Sequence, residues 1–163
     1  MNKGAHHIIN DLNDTLFIGT GNRFRRDDSV GIYIGEKLKK NHTLKVLIAE
    51  NGLENHIGKI NKINPGKIII FDSANFLKNP GYYELLHISE ILNDTINTHT
   101  ISLRQLAGFL LTEEVYVLGI QPGDISFGST MTEQVVDSAN GIIEDILQPS
   151  KQKTKIPNYE TKL

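Results

Sequence analysis

The chain has 163 residues, 39% hydrophobic and 22% charged, with a formal net charge of -2. That length suits one domain with a full core, and no stretch approaches the roughly 18 apolar residues of a membrane-spanning helix. The charge balance predicts no broad attraction to nucleic acid. The absence of cysteine excludes disulfides, thiolate nucleophiles and Cys-based zinc sites together.

The opening Met1-Asn2-Lys3-Gly4-Ala5-His6-His7 has no apolar signal character. A cytoplasmic protein that makes no membrane contact is therefore expected, and a monomer is the default. Residues 1 to about 14 and 149 to 163 are polar and lack periodicity, so they read as flexible appendages of a single domain over 1–163. The lysines in Lys151-Gln152-Lys153-Thr154-Lys155 belong to that solvated tail.

Between the ends, strand-like and helix-like patterns alternate. Thr15-Leu16-Phe17-Ile18 predicts a short buried strand, stopped by Gly19-Thr20-Gly21-Asn22. A helix is expected over about 27–40, with Val30, Ile34 and Leu38 on one face and Asp27 and Asp28 in its first turn. Lys45–Ala49 predicts the second strand, and Leu53–Ile63 a short helix ended by Asn64-Pro65-Gly66. Lys67-Ile68-Ile69-Ile70-Phe71 is the clearest buried strand and is expected to end on Asp72. After the Pro80-Gly81 turn, Tyr82–Leu86 fits an edge strand. Ser102 and Gln105 fit a capping box opening a helix to about Leu111. Val115–Ile120 predicts the last strand, and Val135, Val136, Ala139, Ile142, Ile143, Ile146 and Leu147 repeat at helical spacing. This order predicts a three-layer α/β fold, a twisted, mostly parallel sheet of about five strands with helices on both faces. Such sheets bind ligands at the carboxyl ends of their strands. Those ends carry the Gly19–Asn22 loop, Asp72 and Gln121-Pro122.

Three positions there stand out. Gly19-x-Gly21 could open a dinucleotide fingerprint, but Phe24 stands where a third glycine belongs; the alternative is a tight turn needing positive φ. Asp28 is either a ligand or a helix-dipole partner. Asp72 is either a functional carboxylate at a strand's open edge or an Asx-turn residue. His99, in Asn97-Thr98-His99-Thr100, is the one histidine placed near that edge; His6, His7, His42, His56 and His87 have no comparable position. Two carboxylates and an imidazole at one edge would suit a divalent transition metal and leave positions open for a partner's ligands. Gly-x-Ser-x-Gly and His-Glu-x-x-His are both lacking from the sequence, which weakens serine-nucleophile and ordinary zinc-protease readings.

The ordered set Leu16-Phe17-Ile18-Gly19-Thr20-Gly21-Asn22, Asp27-Asp28-Ser29-Val30-Gly31, Glu54-Asn55, Phe71-Asp72-Ser73-Ala74, Pro80-Gly81, Thr98-His99 and Gly119-Ile120-Gln121-Pro122 resembles the hydrogenase maturation endopeptidases. The resemblance implies an endopeptidase that removes a C-terminal extension from the large-subunit precursor of a nickel-iron hydrogenase after nickel insertion. It implies that nickel, brought by that partner, is read by Asp28, Asp72 and His99, with Gly19, Gly21 and Asn22 shaping the adjacent loop. Ser29, Glu50-Asn51-Gly52-Leu53 and Met131-Thr132 depart from the family pattern without removing a ligand. Arg23, Arg25 and Arg26 crowd one short loop, either as a solvated face or as a grip for an acidic or carboxylate feature of the precursor. Readings of another kind are a nickel-sensing chaperone that binds without cutting, a peptidyl-tRNA hydrolase, opposed by Arg23 and the net charge, and a dinucleotide-dependent oxidoreductase.

Overall fold

The computed structural model describes residues 8, 9, 11–91 and 105–148. Five strands, β1 (Thr15–Thr20), β2 (Lys45–Glu50), β3 (Lys67–Ser73), β4 (Tyr83–His87) and β5 (Val115–Ile120), form one sheet in the order β2-β1-β3-β5-β4. Every neighbouring pair is parallel except β4, which runs antiparallel along β5 at the edge. The helices are α1 (Val30–Leu38), α2 (Ile57–Ile63) and α3 (Glu133–Leu147), with single 3-10 turns at Arg26–Ser29, Leu53–His56 and Ile88–Glu90.

Central parallel strands are covered on both faces, so their sequences read as continuous apolar runs. Alternate residues then divide between two cores. Phe17, Ile69, Phe71, Leu118 and Ile120 pack with Val30, Ile34 and Leu38 of α1 and with Val135, Ala139, Ile142, Ile143 and Ile146 of α3. Leu16, Ile18, Ile68, Ile70, Val115 and Val117 face the other way, onto Leu53 and Ile60 near α2. Phe17 and Phe71 stack with centroids 5.8 Å apart. At about 2 kcal/mol for each fully buried aliphatic side chain, the α3 stripe alone is a major source of the domain's stability.

Three expectations change. Residues 8–14 are not wholly an appendage: Ile9 is buried in the first core, and Ile8 and Leu12 pack against it. The segment is clasped to the amino edge of the sheet because the Lys67 ammonium donates to Ile8 O at 2.9 Å and Asp11 O at 2.8 Å. The helix expected from Asp27 starts at Val30, preceded by a 3-10 turn, because loop amides draw the Asp27 side chain away from a helical first turn. β3 runs one residue past Asp72, pairing Asp72 with Gly119 and Ser73 with Ile120. Asn64 closes α2 in the left-handed conformation (φ 48°), where a capping glycine commonly sits. The Ser102 capping position and the 149–163 tail lie outside the described residues, although 105–107 are helical. No helix among the described residues is long and apolar enough to cross a membrane.

Candidate active site

The sheet brings the carboxyl ends of β1, β2, β3 and β5 to one edge. The end of β1 is shaped by glycines at points of contact with α1. A Cβ at Gly31 would lie 2.1 Å from Phe71 O and 2.4 Å from Thr20 O, so the start of α1 rests directly on the backbones of β1 and β3. Gly21 has φ +124°, and a Cβ there would meet Asp28 O at 1.9 Å. A Cβ at Gly19 would lie 2.5 Å from Gly31 O. Asn22 organises the turn: its amide nitrogen donates to Asp28 O at 3.0 Å, and its side-chain oxygen accepts from Phe24 N at 2.9 Å.

This packing buries Asp28 and Asp72 side by side at the sheet edge, 2% and 5% exposed. Ser73 Oγ donates to Asp28 Oδ1 at 2.6 Å, and Ser73 N donates to Asp72 Oδ1 at 2.9 Å, so one residue touches both carboxyls. The bond from Ser73 N comes from the next residue within a strand and is not the i+2 contact of an Asx-turn. Burial pushes the Asp72 carboxyl up to about 7, and the neighbouring Asp28 pushes in the same direction. The amide of Ser73 and the Thr20 hydroxyl oppose this. That hydroxyl also donates to Phe71 O at 2.9 Å.

Asp27 has a separate task. Its carboxylate accepts from Gly123 N and Asp124 N at 2.8 Å and from Thr132 N and Oγ1 at 2.6 Å. It ties the loop after β1 to the loop after β5, and a parallel bridge between Arg25 and Gly128 adds to that tie. Buried Gln121 does the same for the loop after β3, its Oε1 accepting from Phe76 N at 2.7 Å. Neither Ser73 nor Asp27 was distinguishable as a site-building residue from sequence, because a serine after a strand and an acid before a helix have many ordinary uses.

The three loop arginines separate. Arg23 is paired with Glu36 and Glu50, each at 2.7 Å, and Arg26 with Asp124 at 3.3 Å. Arg25 spends its Nε on Ile125 O at 3.1 Å. His99 lies outside the described residues, as do His6 and His7. Among the described residues no group of three His, Cys, Asp or Glu side chains forms a metal-ligand set. The donors shown together are thus the Asp28 and Asp72 carboxyls, hard oxygen groups whose mutual repulsion a divalent cation would relieve.

A family model described as hydrogenase maturation protease matches residues 32–149. A protein of Methanocaldococcus jannaschii assigned as a hydrogenase maturation protease is 30% identical over 148 residues, covering 82% of this chain and 86% of the relative. The hydrogenase 3 maturation protease of Escherichia coli K12 is 27% identical over 134 residues, covering 79% and 86%. Among solved structures, the nickel-iron hydrogenase maturation protease HycI of Thermococcus kodakarensis superposes with a TM-score of 0.75 at 20% identity, covering 88% of this chain and 96% of that one. The hydrogenase maturating endopeptidase HybD of E. coli gives 0.69 at 20% identity, with 82% and 89% covered. These two likenesses carry the fold.

Proposed function

This chain belongs to the hydrogenase maturation protease family, and from that premise we propose that it is the endopeptidase that removes the C-terminal extension of a nickel-iron hydrogenase large-subunit precursor. Nickel arrives in this reading as part of the substrate. The observation that carries it is the buried pair Asp28 and Asp72 at the carboxyl edge of the sheet, bridged by Ser73.

Asp28 and Asp72 would hold the precursor's metal from one side, with His99 the third candidate ligand and the remaining positions left to the precursor's own side chains. A divalent cation held there supplies Lewis-acid polarisation of a carbonyl or a bound water. The chain's own residues do the rest. Ser73 fixes the orientation of both carboxyls, so that they meet the substrate without rearranging. The strands exclude water from one side of the pair. A carboxylate of the pair accepts the proton of the attacking water and returns it to the departing amine. Ser73 Oγ, the hydroxyl bonded to Asp28, orients the pair in this reading, and water is the attacking nucleophile.

The test mixes the protein with nickel-loaded precursor and weighs the product by mass spectrometry. Asp28→Ala, Asp72→Ala and His99→Ala run beside wild type, with nickel-free precursor as the control. Loss of a C-terminal peptide with wild type and nickel alone is the expected result. Nickel-dependent binding without clipping would replace the endopeptidase with a chaperone. Clipping by all three variants would remove the assigned site.

A further inference from the structure

The loops tied together by Asp27 carry a feature that the cleavage chemistry does not use. Phe24 and Phe127 are 66% and 82% exposed, yet their rings stack with centroids 6.2 Å apart and planes 9° from parallel. Ile125, 39% exposed, lies on the same loop as Phe127. Single exposed apolar residues are unremarkable, but a stacked pair with an aliphatic neighbour is a patch. It is also rigid. Gly128 N donates to Phe24 O at 2.9 Å, Arg26 N to Gly128 O at 2.9 Å, and the Asp27 carboxylate fastens both loops beneath. A preorganised aromatic surface loses little entropy on binding.

The patch adjoins the candidate site, because Asp28 N donates to Arg25 O at 2.8 Å. Arg25 is thus joined through its backbone to the residue that carries one of the paired carboxyls. Its charge is distinctive too. Arg23 and Arg26 are neutralised by Glu36, Glu50 and Asp124, whereas Arg25 has no carboxylate partner among the described residues and spends one donor on Ile125 O. Aromatic rings beside an available guanidinium are the composition of an interface hot spot.

We propose that Phe24, Ile125, Phe127 and Arg25 form the seat for the precursor segment flanking the scissile bond, one that presents an apolar side chain with a carboxylate beside it. The inference rests on the endopeptidase reading for the identity of the partner. The rings take the apolar side chain, and Arg25 takes the carboxylate in a forked, charge-assisted contact. Neither acts on the reacting bond, so both set affinity and register.

Binding and clipping are read separately. The Kd for nickel-loaded precursor is measured in an Asp72→Asn background, where no product forms, with Phe24→Ala/Phe127→Ala or Arg25→Glu added. The double truncation should weaken binding at least about tenfold. Arg25→Glu should weaken it about fivefold and flatten its dependence on salt. Phe109→Ala, a 68% exposed aromatic on the segment leading into β5, should change nothing. In an otherwise wild-type chain the same changes should raise KM with kcat held within about twofold. An unchanged Kd in both variants, or a loss confined to kcat, overturns the seat. If wild type clips nothing while the variants still lose binding, the seat stands and the endopeptidase reading falls. If wild type clips and the variants bind normally, the seat alone falls.

Discussion

Replacing Asp72 with asparagine should stabilise the free protein while ending its activity, and the gain should depend on pH. Burial, then the neighbouring Asp28, raises the carboxyl from 3.8 to about 7 in the folded chain. The folded pKa lies above the unfolded one, so the unfolded chain releases this proton first. The contribution to stability is fully present below about pH 4 and is lost as pH rises to about 7. At 1.36 kcal/mol for each pH unit, the loss amounts to at most about 4 kcal/mol. Asparagine keeps the acceptor for Ser73 N and has no proton to lose. The variant should therefore match wild type near pH 4 and exceed it by roughly 2–4 kcal/mol at pH 7.5. Urea unfolding at half-unit steps of pH measures this, with equal slopes as the check that both chains unfold alike. A difference between the two proteins that stays constant from pH 4 to 8 would refute the reasoning. A destabilised variant at pH 7.5 would refute it as well.

Asp27→Asn keeps the volume but turns an amide NH2 toward donors at Gly123, Asp124 and Thr132; thermal melts should show a loss of about 3 kcal/mol or more, and an unchanged Tm would mean the two loops are held otherwise. Gly31→Ala forces a Cβ to within 2.1 Å of Phe71 O, so the expected outcome is a chain that fails to unfold cooperatively in urea, whereas a wild-type transition would contradict the packing described. Arg23→Ala removes two ion pairs whose side chains are 40–50% exposed and should cost no more than about 1 kcal/mol, with any larger loss pointing to a role beyond the surface.

The sheet was legible because its central strands carry unbroken apolar runs that only a twice-covered strand can bury. Lys67–Phe71 and Val115–Ile120 are the plainest cases. The edge strand was legible from the Pro80-Gly81 turn before it, although it runs over Tyr83–His87, one residue later than expected. What escaped was whatever depends on a contact between distant loops. Asp27 and Asp28 look equivalent in sequence, yet one is a fastener with four bonds to residues about a hundred positions away and the other faces the candidate reaction centre. Ile9 escaped because Ile8, Ile9 and Leu12 are too few in a polar stretch to establish a period, although Lys67 holds their segment in place. The arginines of the first loop could not be told apart until Glu36, Glu50 and Asp124 were seen to occupy two of them.

The fastening at Asp27 also bears on when this protein can begin to work. Its partners are residues 123, 124 and 132, and β5, which fills the slot between β3 and β4, is made after both neighbours. A ribosome must therefore release residues 123 to 132 before the Asp27 carboxylate has its partners. Nascent chains and prematurely terminated fragments carry the carboxylates without the frame that aims them. On the proposed reading, a site framed only once residue 132 has emerged leaves unfinished copies without a fixed pair of carboxyls to act with.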